Sequence, residues 1–170
     1  TTSSAFIDFP GWQYFTNLNT TDQTTQSITG EFDVDKIGAS MHFKTPSGVN
    51  RDYTACTAPP ILETESDYKA EQSDPAKNDS AQVLVIRQYG EAWNRPFILA
   101  FEPSKSNSTI QSIEHLMTDS VIVGAKITSS VNGVKIIDFV INHDDNNQTY
   151  ASNTEEIEFT GRFGIVRKYQ

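Results

Sequence analysis

Cysteine is almost absent: Cys56 stands alone in a chain of 170 residues. A single thiol rules out an intramolecular disulfide and a CxxC zinc site. In its strand-like setting, Tyr53 to Thr57, it reads as a small buried residue rather than a nucleophile. Basic residues are also scarce, 13 Lys and Arg against 22 Asp and Glu, giving a formal net charge of -9. That balance argues against a nucleic-acid partner, which needs a basic stripe, and against adhesion to an anionic membrane. It leaves open an anionic ligand held by a few local arginines, because long-range steering and local pairing are separate effects. No apolar run reaches membrane-spanning length, and no basic-then-apolar signal segment opens the chain. The start at Thr1-Thr2-Ser3-Ser4 suggests a mature product or an excised domain. The three histidines, His42, His115 and His143, have no HxH or HxxxH spacing, so no metal and no cofactor is expected.

Hydrophobic residues make up only 36% of the chain, yet aromatics reach 11%. Thin apolar content with many aromatics fits a β-sandwich whose sheets have one buried and one wet face. No sustained helical stripe and no repeat is present. Alternation predicts strands over Ile28–Val34 and Ile37–Lys44, joined by a tight turn at Asp35-Lys36, and a short strand over Arg51–Thr57. Asn17–Gln26 is polar and Thr-rich, a loop or an edge. Strands are also expected over Ile110–Leu116, Val121–Thr128 and Lys135–Ile141, the last two joined at Asn132-Gly133 by a type I′ turn. His143–Asn147 reads as a polar turn, and Ile157–Phe159 with Phe163–Val166 as a closing hairpin about Gly161-Arg162. The expectation is a single antiparallel all-β domain, a β-sandwich over residues 1–170, with a long irregular acidic loop at about 58–80.

The chain is organised around the stretch from Val83 to Pro103. Val83–Ile86 and Phe97–Phe101 are unbroken apolar runs, which suggests two strands inside a sheet, joined as a hairpin by a polar, Gly-containing connection that carries Trp93 and Arg95. Pro96 and Pro103 bracket the second run and forbid a helix there.

Four blocks carry a family pattern: Phe9-Pro10-Gly11-Trp12-Gln13-Tyr14-Phe15 with Gly30-Glu31-Phe32 and Met41-His42-Phe43; Tyr53-Thr54-Ala55-Cys56-Thr57-Ala58-Pro59-Pro60; Arg87 with Gly90-Glu91-Ala92-Trp93-Asn94-Arg95-Pro96-Phe97 and Phe101-Glu102-Pro103; and Phe159-Thr160-Gly161-Arg162-Phe163-Gly164-Ile165-Val166-Arg167. In this order and spacing they resemble the C-terminal β-sandwich region of heparinase II/III-like polysaccharide lyases. The resemblance implies a secreted or periplasmic enzyme that cleaves acidic polysaccharide by β-elimination, with an N-terminal α/α toroid supplying most of the cleft. No residue here matches a family catalytic or metal position, so none is carried over.

β-Elimination needs a base, an acid and a group that neutralises the uronate. His42, opposite Met41 and Phe43 on its strand, reads as an exposed surface histidine. Asp144-Asp145-Asn146-Asn147 is oxygen-rich but lacks the ligand alternation of an EF-hand and reads as a solvated hairpin tip. The candidate sugar contacts are Trp93, Arg95, Arg87, Trp12, Tyr14 and Tyr53. An exposed aromatic face can stack on the C–H face of a sugar, and an arginine can fork onto a carboxylate or sulfate. Against this, each aromatic taken singly is a core or docking residue. The expectation is therefore a non-catalytic β-sandwich domain of a polysaccharide lyase that supports the toroid and contacts an acidic polysaccharide. The alternative is a stand-alone carbohydrate-binding or adhesion module.

Overall fold

A computed structural model describes residues 11–34, 38–59 and 80–170. The expected turn at Asp35-Lys36 and nearly all of the acidic loop lie outside the described residues. The described chain is nearly all β, as expected: β1 (Thr16–Thr24), β2 (Thr29–Val34), β3 (Ala39–Lys44), β4 (Arg51–Thr57), β5 (Gln82–Gln88), β6 (Ala100–Ser104), β7 (Ile110–Thr118), β8 (Val121–Val131), β9 (Val134–Asn142), β10 (Thr149–Ser152), β11 (Ile157–Thr160) and β12 (Phe163–Tyr169). A single 3-10 turn, Trp12–Tyr14, is the only helical element among the described residues. The strands form several antiparallel sheets, consistent with a β-sandwich, and the chain divides into two compact units.

The first unit holds residues 1–24 and 50–89. Its sheet has the order β1-β4-β5. Trp12 stacks on Phe15, with centroids 4.8 Å apart, and Cys56, Leu18, Val83 and Val85 complete this small core. Burial pushes the Cys56 thiol up, so the thiolate is disfavoured and the residue packs as a small hydrophobe. β1 carries two irregularities in its pairing, and Asn17 and Gln23 there have φ of 53° and 47°. Such bulges suit an edge strand. The amide freed at Gln23 donates to Asp52 Oδ1 at 2.7 Å, and the same buried carboxylate accepts from the Tyr89 hydroxyl at 2.8 Å.

The second unit holds residues 25–49 and 90–170. Its four-stranded sheet has the order β12-β9-β8-β7. Leu116, Ile137, Phe139 and Ile141 on one face pack against Tyr150 and Ile157 of the β10-β11 hairpin. The other face, at β7 and β8, is covered by Ile98 and Ala100, which pack against Ile113, Ala125 and Ile127. A second sheet, β2-β3-β6, holds a row of rings: Phe43 lies 5.5 Å from Phe32 and 6.5 Å from Phe101. Gly30 is opposite Phe43 in register, and a Cβ there would stand 2.6 Å from its ring. The glycine lets the ring lie across the neighbouring strand.

Two expected hairpins are not formed. β5 pairs with β4 and β6 pairs with β3, and each ends its sheet rather than lying inside it. The second run also becomes a strand only from Ala100, with Phe97–Leu99 outside any strand. An apolar run reports covered faces, and Val83–Gln88 are all half-buried; it does not report whether a strand has a hydrogen-bonded neighbour on each side. Likewise β11 pairs with β10, whereas β12 crosses to β9, so Gly161-Arg162 joins two sheets.

Candidate functional site

The sugar contacts expected from the sequence fall in different places. In the first unit Trp12 and Tyr53 are 9% and 4% exposed and present no ring face to solvent; packing on Cys56 and within β4 accounts for both. Tyr14 is exposed at the end of the 3-10 turn. Arg87 lies over the Tyr89 ring, its guanidinium carbon 4.9 Å from the centroid. The hydrogen bond to Asp52 raises the Tyr89 hydroxyl above its usual range and keeps it a donor.

Trp93 is the exception. It is 79% exposed and borders a groove of about 650 Å³ in the second unit. The segment from Glu91 to Arg95 is bent rather than extended, and the Arg95 amide donates to the Ala92 carbonyl at 3.2 Å. The alternation by which residues two apart share one face of an extended backbone therefore does not apply to Trp93 and Arg95, and Arg95, though exposed, is not among the groove's lining residues.

The groove runs between this bent segment and the uncovered part of the four-stranded sheet. Trp93, Pro96, Phe97 and Ile98 form one wall; Val140, Asn142 and Phe163 of β9 and β12 form another. Phe163 faces Asn142 in register and is 63% exposed. The turn after β9 adds His143, Asp144 and Gln148, the start of β10 adds Thr149, and the β7-β8 turn adds Asp119. Some of these polar groups are positioned by local bonds. The His143 amide donates to the Arg162 carbonyl at 2.6 Å, and its Nδ1 lies 2.8 Å from the Gly161 carbonyl. That carbonyl can only accept, so Nδ1 carries the proton. Gln148 Oε1 accepts from the Asp144 amide at 3.1 Å, which braces the turn. Asp119 and Ser120 both have positive φ, 50° and 68°, as a two-residue hairpin of the I′ kind demands. Such strain in non-glycine residues is held by the flanking ladder. The sequence named Trp93 but read Phe97 and Phe163 as strand residues and left His143 at a turn; only the tertiary fold gathers positions this far apart.

The histidines do not converge. His42 is not the exposed residue expected. Its side chain is only 13% exposed, with Nδ1 3.3 Å from Glu31 Oε2 and Nε2 2.9 Å from the Ser106 carbonyl, because its strand has a carboxylate directly opposite. Among the described residues no three His, Cys, Asp or Glu side chains gather as a metal site would require. Among them also no helix is long and apolar enough to cross a membrane.

A nearly all-β fold among the described residues, with an open, aromatic-walled groove, is the class that fold and site define. Residues 110–170 match the family described as the endo-acting ulvan lyase C-terminal domain. The chain is 38% identical over 162 residues to an endo-acting ulvan lyase of Formosa agariphila, a match covering 95% of this chain and 19% of that protein. The chain thus spans about a fifth of the length of that relative. No solved structure matches. The similarity is to a polysaccharide lyase, and the relation expected from the sequence holds in this coarser form.

Proposed function

We propose that this chain is a non-catalytic β-sandwich domain of a secreted or periplasmic polysaccharide lyase, and that it holds the polysaccharide in the groove of its second unit. The observation that carries the reading is the pair of exposed rings, Trp93 and Phe163, among the lining of a groove that also carries polar groups. Large aromatics exposed in a concave site bury area only when a ligand arrives. The relative's name supplies the substrate, ulvan, and its greater length leaves room for a further domain; that the substrate is acidic and cut by β-elimination on a toroid is what the resemblance of the sequence blocks implies. The narrower kinship with heparinase II/III-like lyases rests on the four sequence blocks. A stand-alone carbohydrate-binding module is the second reading, favoured by the same exposed rings.

Calorimetric titration of ulvan fragments tests the proposal. Wild type binds, and Trp93→Ala and Phe163→Ala each weaken binding roughly ten-fold, about 1.4 kcal/mol, with unchanged melting temperature. Arg95→Ala distinguishes a charge-assisted contact beside the groove from a purely structural arginine. Equal affinity in wild type and Trp93→Ala overturns the proposal.

A further inference from the structure

Resting on the sugar-binding reading, we infer that the groove itself accepts an uncharged sugar ring, and that the acidic units of a bound polysaccharide lie outside it. The charges on its walls point there. Asp119 and Asp144 line the groove, and no lysine or arginine does among the described residues. A carboxylate or sulfate placed in the groove meets like charge from its lining and finds no guanidinium to fork onto. An uncharged ring meets none of that repulsion. Its C–H faces can stack on Trp93 and Phe163, while its hydroxyls can donate to the two aspartates and exchange hydrogen bonds with Asn142, Gln148 and Thr149. The His143 ring joins them: with Nδ1 committed to Gly161, Nε2 in its neutral form is an acceptor for one more hydroxyl. Selectivity follows from the difference, since the groove repels the charged unit as well as holding the neutral one.

The test uses the intact chain and ulvan fragments in two forms: native, and after carboxyl reduction and desulfation. Trp93 fluorescence reads out binding at the groove, because the second tryptophan, Trp12, is 9% exposed. Neutralised fragments are expected to protect Trp93 from acrylamide at least as well as native ones, with little dependence on salt. Asp119→Asn combined with Asp144→Asn is expected to raise affinity for native fragments about three-fold or more, while the neutral form, which loses two charged acceptors, gains nothing. Binding of native fragments alone, weakened steeply by salt, overturns this inference while leaving polysaccharide binding intact. Protection of Trp93 by neither form overturns the sugar-binding reading and the inference with it.

Discussion

Two carboxylates show how single residues hold local structure. Asp52 is 1% exposed and accepts from the Gln23 amide and the Tyr89 hydroxyl, fastening the β1 bulge and the end of β5 to β4. Asp52→Ala strands the Gln23 amide; urea denaturation should show a loss of about 3 kcal/mol, with a smaller loss for Asp52→Asn, which keeps an acceptor oxygen. Glu102 closes the turn after β6. It accepts from the Ser108 hydroxyl at 2.6 Å and from the amide and hydroxyl of Thr109 at 2.9 and 2.6 Å. Burial alone would raise its carboxyl, but these donors outweigh burial and hold it below the usual value. A carboxyl lowered in the fold adds stability that is present above its unfolded value and lost as pH falls through its folded value. Glu102→Gln should therefore lower the urea midpoint near neutral pH and narrow the gap to wild type in acid. A gap that does not change with pH would contradict this account.

At the scale of elements, turns and close approaches decide what the strands can do. Asn132 and Gly133 have φ of 53° and 82°, and the Val131–Val134 pair closes the hairpin as the sequence predicts. Gly133→Ala should cost about 1–2 kcal/mol, from a Cβ in left-handed backbone. Gly124 on β8 has no space for any side chain: a Cβ would stand 2.0 Å from the Val140 carbonyl oxygen. Gly124→Val should lower thermal stability by about 3 kcal/mol or more, with the groove wall formed by Val140 displaced. The sheet of β7, β8 and β9 was legible because its strands alternate and its main turn is chemically explicit. β10 was not, since Thr149-Tyr150-Ala151-Ser152 has one large apolar residue. The false hairpin between β5 and β6 came from reading burial as pairing, and the false one between β11 and β12 from reading a glycine turn as a chain reversal. Gly161 has φ of 147°, and Gly164 leaves space for the Phe159 ring, where a Cβ would stand 2.2 Å from it; both glycines have a local role without a hairpin.

At the scale of the whole molecule, the net charge of -9 and the acidic groove belong together. Attraction over distance does not bring an anionic chain to a protein of this charge, so the proposed binding rests on contact between rings and on hydroxyl hydrogen bonds. The sequence singled out one part of the groove, Trp93, because an aromatic in a polar connection is conspicuous. It did not reveal Phe163 or His143, whose placement depends on β12 crossing to β9. The central claim, that the second unit's groove is where polysaccharide binds, is tested most directly by following backbone amide and indole NMR signals of the intact chain during titration with ulvan fragments. The account predicts progressive shifts at Trp93, Phe97, Asn142, His143 and Phe163, with the signals of Tyr14 and Arg87–Tyr89 unmoved. Shifts centred on Tyr14 and Tyr89 instead, or none at saturating fragment, would contradict it.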